Sequence, residues 1–163
     1  MELRKYKTDD ARFIVKWLKS EYAFRQWSAD RYERYPITAD DMNNYYSQYN
    51  DEMYILTAVD NNEIIGHLTI RFIDDKKKIA RLGFVIVDDS KRGKGYGKQL
   101  VSSALNYAFD ELKADKVTLG VFENNKPAIN CYLSCGFEIV AREKTESYHC
   151  MGEIWNCIEM ETK

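Results

Sequence analysis
The stretch from Val85 to Leu100 combines residue types that together hold a phosphate. A β-branched run, Val85–Ile86–Val87, stops at Asp88 and Asp89, crosses a glycine-rich basic turn, and continues into Leu100, Val101, Ala104, Leu105, Ala108 and Phe109 at helical spacing. Alternate glycines (Gly93, Gly95, Gly97) leave backbone N–H groups unobstructed, and the helix start adds unpaired donors and the positive end of its dipole. Lys91, Arg92, Lys94 and Lys98 outnumber the two aspartates here, although the whole chain carries a formal net charge of -2. The basic patch is local, so a nucleic-acid face spread over the fold is not expected.

The spacing excludes the common nucleotide loops. A P-loop needs Lys followed by Ser or Thr, whereas Lys98 is followed by Gln99; G-x-G-x-x-G fails because the third glycine is Gly97. Arg92–Gly93–Lys94–Gly95–Tyr96–Gly97 instead reads R-x-x-G-x-G between strand and helix, which resembles the acyl-CoA pyrophosphate loop of the GNAT superfamily of N-acetyltransferases. Asn125, Ala128, Tyr132 and Gly136–Phe137 then resemble that family's second signature, N-x-x-A-x-x-x-Y-x-x-x-G-F. Taken singly, the first is also a glycine turn with solvated lysines and the second an ordinary helix with a capping Asn.

The resemblance implies an acetyl-CoA-dependent transfer to an amine, with no metal. Val85, Ile86 and Val87 match the strand edge that bonds the pantetheine arm, and their N–H groups would polarise the thioester carbonyl. The pyrophosphate would sit on Arg92, Gly93, Lys94, Gly95, Tyr96, Gly97 and Lys98, with Asn125 on the arm and Lys126 and Asn130 toward the outer part of the cofactor. Tyr132 matches the family's general acid: a phenol of pKa about 10 stays protonated while donating to a thiolate whose acid has a pKa of about 8.5. The positions where relatives carry a glutamate base are Arg81 and Gly120 here. Glu33, His67, Glu123 or a water chain remain as base; Cys135 allows an acyl-cysteine route, with direct transfer in a ternary complex preferred. An acyl-CoA-binding sensor that lacks the base is the alternative.

These residues need a frame. Strands are predicted over Leu3–Tyr6, Tyr54–Val59, Ile64–Phe72, Ile79–Val87, Lys116–Phe122, Phe137–Ala141 and Ile154–Met160. Asp60–Asn61–Asn62–Glu63 signals a hairpin, and a polar connection spans Arg142 to Gly152. Helices are predicted after Thr8, with Phe13, Ile14, Trp17 and Leu18 as the apolar face; after Thr38, with a capping box to Asp41; after the glycine loop; and after Asn125, with Pro127 in the first turn. The crossover between the strands ending at Val87 and Phe122 is long enough for a parallel return. The expected fold is α/β (α+β): a GNAT-like, mostly antiparallel sheet of about seven strands flanked by about four helices, with one splayed parallel pair.

With 163 residues the chain fits one domain, 1–163. It has no apolar run long enough for a membrane span and its N-terminus lacks a signal-peptide pattern, so a cytoplasmic protein is expected, with a homodimer allowed. Cys131, Cys135, Cys150 and Cys157 lack metal-ligand spacing and read as reduced thiols. Trp17, Tyr22, Phe24, Trp27, Tyr32, Tyr35, Tyr45, Tyr46 and Tyr49 either pack the N-terminal helices or, with Glu21, Asp30 and Glu33, receive a cationic amine.

Overall fold
The computed structural model describes residues 1–49, 51–140 and 146–162. Its strands are β1 (Glu2–Lys5), β2 (Tyr54–Asp60), β3 (Glu63–Phe72), β4 (Ile79–Val87), β5 (Lys116–Phe122), β6 (Phe137–Ile139), β7 (Glu146–Cys150) and β8 (Glu153–Thr162). The helices are α1 (Ala11–Ile14), α2 (Glu21–Ser28), α3 (Ala39–Ser47), α4 (Tyr96–Asn106) and α5 (Lys126–Ser134). One mixed sheet runs β1-β2-β3-β4-β5-β8-β6, with β7 on β8. All pairings are antiparallel except β4–β5, the parallel return that the crossover length allows.

The expected mixed sheet with one parallel pair is present, with eight strands and five helices among the described residues. The added strand is β7, inside the polar connection, where Glu146–Cys150 folds back on Glu153–Cys157. The expected strand end at Ala141 and the connection over 142–145 lie outside the described residues. The added helix is α2, in a stretch where no helix is predicted, and the helix expected after Thr8 is α1, a single turn between 3-10 turns. Thr8 does not cap this start: Lys7 is the cap residue, and its N–H donates to the Asp10 carboxylate at 2.8 Å. Ile14, Trp17 and Leu18 are buried as expected, whereas Phe13 lies on the outer side at 38% exposure.

Local signals account for the other ends. Thr38 accepts from Asp41 N–H and Asp41 from Thr38 N–H, completing the capping box of α3. Asn61 and Asn62 take φ of 50° and 66° in the β2–β3 turn, where Asn tolerates the left-handed region. Strand β3 is buried from Ile65 to Ile70 because both faces are covered. On one face Leu100, Val101, Ala104 and Ala108 of α4 and its extension join the core with Leu68, Ile70 and Leu82; burying Leu100 alone contributes about 2 kcal/mol. On the other face Trp17, Phe24, Met42 and Tyr46 of the N-terminal segment pack with Ile86. No helix among the described residues is long and apolar enough to cross a membrane.

Candidate active site
Strands β4 and β5 pair only over Ile79–Arg81 and Lys116–Thr118. Beyond Arg81 and Thr118 they part, so Leu82–Val87 presents a backbone edge to the gap with no strand partner on that side among the described residues. A bulge helps to shape this edge: Thr69 faces Gly83 and His67 faces Ile86, leaving Phe84 and Val85 opposite Leu68 alone. Phe84 takes φ of 51°, a strained value for a bulky residue. Trp27 Nε1 donates to its carbonyl at 2.9 Å, and the rings of Trp27, Tyr45 and Tyr46 surround its side chain. Sequence reasoning missed Phe84, because no Gly or Asn at position 84 signals a positive φ, and it offered Trp27 as an aromatic of the acceptor side without its bond to the Phe84 carbonyl.

The unpaired edge runs into the glycine loop. Gly93 and Gly95 sit at φ of 76° and 84°, and Gly95 is the N-cap of α4. Among the described residues no acceptor takes the N–H groups of Gly93 through Lys98, the first bond of α4 being Gln99 N–H to the Gly95 carbonyl. Arg92, Lys94 and Lys98 are exposed and make no ion pair among the described residues; Lys91 pairs with Glu63 at 2.7 Å and is not free to join them. Val85 and Val87 pack partly against the α4 side and Ile86 against the N-terminal helices, so the expected trio forms the wall between the two cores. Unpaired donors, three uncompensated cations and a helix start suit a diphosphate.

Helix α5 meets this loop through its cysteines. A Cβ on Gly97 would lie 3.6 Å from Cys131 Sγ, and Cys135 Sγ lies 3.8 Å from the Lys98 carbonyl. Burial, with Cys135 nearby, pushes the Cys131 thiol up to about 11, which does not suit a nucleophile. Asn125 is the N-cap of α5 and accepts from Ala128 N–H at 3.4 Å, while Lys126 and Asn130 are exposed on the same helix. The side chain of Tyr132 is buried between α5 and the sheet, its ring edge-on to Phe137 at 5.9 Å. Its hydroxyl has no hydrogen-bond partner among the described residues, yet it is not one of the sealed unpartnered atoms, which are Tyr32 hydroxyl and His67 Nδ1. Burial raises its pKa well above that of a free phenol, so it stays protonated.

On the face of the sheet that carries α2 and α3, a cavity of about 1070 Å³ opens onto the gap through Arg81–Phe84 and Gly120–Phe122. Of the aromatic residues expected there, Trp27, Tyr45 and Tyr49 line it. Trp17, Phe24, Tyr32 and Tyr46 are core, Tyr22 packs on Trp155, and Tyr35 donates to the Leu18 carbonyl. Glu21, Asp30 and Glu33 do not line it; its carboxylates are Asp51, Glu52, Asp74, Asp75, Glu146 and Glu159. The three candidate bases are also elsewhere. Glu33 and Glu123 are exposed away from the lining, and His67 is fully buried with Tyr46 hydroxyl 2.6 Å from Nε2. Burial lowers His67 to about 4, so it does not take a proton from an amine.

Arg81 and Gly120, the two positions without a glutamate, form one feature. Arg81 donates to Glu159 at 2.5 and 3.1 Å, and Glu159 lies opposite Gly120 in the β5–β8 register. A Cβ on Gly120 would meet Arg81 Nη2 at 2.8 Å, so the missing side chain makes room for the guanidinium.

Comparison with known proteins accords with this geometry. Residues 13–137 match the model of the acetyltransferase (GNAT) family. The spermidine N(1)-acetyltransferase of Vibrio cholerae is 25% identical over 137 residues, which cover 84% of this chain and 78% of that protein. The L-amino acid N-acetyltransferase AaaT of Escherichia coli is 32% identical over 85 residues, 52% of each chain, so only about half of either is matched. A solved structure of Vibrio cholerae spermidine N-acetyltransferase with CoA and spermine has a TM-score of 0.81 at 21% identity, covering 98% of this chain and 93% of that one. At that identity the likeness is one of fold.

Proposed function
The chain belongs to the acetyltransferase (GNAT) family and is an acyltransferase, and from this we propose that it moves the acetyl group of acetyl-CoA to a primary amine by direct attack in a ternary complex. The observation that carries the reading is the continuous path from the parted β4–β5 edge to the bare N–H groups of Gly93–Lys98. A diphosphate fits the loop and a pantetheine arm fits the gap. The relatives act, by their names, on spermidine and on L-amino acids, acceptors that share a primary amine. The continuous sheet from β1 to β8 supports one acetyltransferase domain over 1–163.

In this mechanism Arg92, Lys94, Lys98 and the loop N–H groups hold the pyrophosphate by charge-assisted bonds. Val85–Val87 orient the thioester, and their N–H groups receive the charge that develops on its carbonyl oxygen. The amine nitrogen bonds to the carbonyl carbon, the carbon–sulfur bond breaks, and Tyr132 gives its phenolic proton to the leaving sulfur. The proton of the amine leaves through water in the open cavity, since His67, Glu33 and Glu123 are not part of its lining.

The test is calorimetric titration with acetyl-CoA, then a free-thiol assay over a panel of amines, with Tyr132→Phe alongside. Saturable binding, transfer to at least one amine, and a 10²- to 10⁴-fold lower kcat for the variant at unchanged acetyl-CoA affinity are expected. Binding without transfer to any amine would favour the sensor, absence of binding would remove both readings, and full turnover by the variant would take Tyr132 out of the mechanism.

A further inference from the structure
The wall of the acceptor cavity holds a charge arrangement that the fold itself does not require. The β3–β4 register sets Arg71 directly opposite Arg81 on the cavity face. Like charges directly opposite each other on antiparallel strands are destabilising. Arg31 lines the same cavity. A carboxylate pairs with two of the three: Glu159 grips Arg81 with two hydrogen bonds, and Asp30 accepts from Arg31 at 3.2 Å. For Arg71, no ion pair or hydrogen bond is found among the described residues.

The remaining acids do not fill this role. Asp74 accepts the backbone N–H groups of Lys78 and Ile79, and Asp51, Glu52 and Asp75, exposed like Arg71 itself, make no ion pair with it among the described residues. Burial, followed by the neighbouring charges of Arg81 and Arg31, lowers the pKa of Arg71 against the opposing pull of Tyr45 and Tyr49.

We infer that the acceptor carries an anionic group beside its amine, as an amino acid carries its carboxylate, and that Arg71 receives this group opposite the Arg81–Glu159 pair. This rests on the transferase reading above. Arg71 reaches the anion with a planar fork of donors, suited to bidentate recognition of a carboxylate. Its partner strand β4 runs on from Arg81 into the unpaired edge, so the anion is anchored beside the place of transfer. A purely cationic amine has no counter-charge to offer Arg71, although the acids of the lining can receive its amine.

The experiment compares matched acceptors: amino acids, the same molecules as carboxamides, aminophosphonates, and spermidine. For wild type, kcat/KM is expected to be at least 10-fold higher for the acid than for its carboxamide. Arg71→Gln is expected to lower it 10- to 100-fold for the acid, leaving the carboxamide and acetyl-CoA affinity unchanged. In parallel, the N-acetylated acid should bind the CoA-loaded protein at least 10-fold tighter than its carboxamide, a preference that Arg71→Gln abolishes. Spermidine or carboxamides used as well as the acids, equal binding of the two products, or an acid preference that survives in Arg71→Gln would each overturn the inference. Acetylation of no amine at all counts against the transferase reading, and the product-binding comparison then decides the anion site by itself. Aminophosphonates separate a carboxylate-shaped from a phosphonate-shaped acceptor.

Discussion

Two arginine–carboxylate clusters lie in this sheet, and they are finished differently. At the β1–β2 end, Asp10 is 2% exposed and accepts from both Arg4 nitrogens, Lys7 N–H and Thr57 hydroxyl at 2.7 to 2.9 Å. Beside it Tyr46 meets His67, and Tyr6 donates to Asn43 at 2.5 Å. At the β4–β5 gap, Glu159 serves Arg81, and Arg71 across the ladder has no carboxylate among the described residues. The residue types are the same; saturation separates them. A cluster whose acceptors are all filled orders the chain, whereas one left with an unmatched cation in a cavity waits for a ligand.

The largest effect that can break this contrast is on stability. Asp10→Asn removes the charge that Arg4 faces and should cost about 3 kcal/mol, the usual loss on breaking one side of a buried pair. Turnover per folded molecule should not change. Burial alone would push the Asp10 carboxyl up, but Arg4, Lys7 N–H and Thr57 outweigh it and hold the group below its ordinary 3.8. The stabilisation is therefore complete above pH 3.8 and is lost as pH falls below it. Thermal melts of wild type and variant at several pH values measure both. Lost turnover with an unchanged melt would mean that the closed cluster is functional after all.

His67 gives the next effect. Folded, burial holds it at about 4; unfolded, it returns to 6.5. Between these values the unfolded chain binds a proton that the native chain does not, so stability falls as pH drops from 6.5 toward 4. One group contributes about 1.4 kcal/mol per pH unit over such a window. His67→Gln should flatten that slope in denaturant titrations across the window. Equal slopes in the two proteins would show that His67 is not sealed neutral in this cluster.

What the sequence made legible follows how local each cause is. The hairpin at Asn61–Asn62, the box from Thr38 to Asp41 and the loop at Gly93 and Gly95 are each set by neighbours in the chain. The parting of β4 and β5 came from the resemblance, and the partial register accords with it. The bulge at Phe84 and the Arg81–Gly120–Glu159 contact were not legible. The first depends on Trp27, far earlier in the sequence, and the second on a β5–β8 register that pattern alone does not fix. For the same reason the vacant base positions looked unrelated, although Arg81 occupies the space that Gly120 leaves free.

That contact supports the smallest and most discriminating substitution. Gly120→Ala adds one Cβ on a strand whose φ lies outside the left-handed region, so the backbone accepts alanine without strain. The new carbon would stand 2.8 Å from Arg81 Nη2 and 2.9 Å from Cys157 Sγ, both inside contact distance and both on side chains. The guanidinium is the end of a flexible chain and can swing aside, which keeps the cost to about 1 kcal/mol, the low end for overpacking. The swing moves Arg81 against Arg71 or away from Glu159. If the cluster is the acceptor wall, KM for the best acceptor should rise several-fold while calorimetric affinity for acetyl-CoA stays the same, because the glycine loop is untouched. Weaker acetyl-CoA binding with an unchanged acceptor KM would instead place the Arg81 guanidinium in the acyl-CoA gap, and the contrast between the saturated and the open cluster would then have to be drawn with Arg81 on the cofactor side.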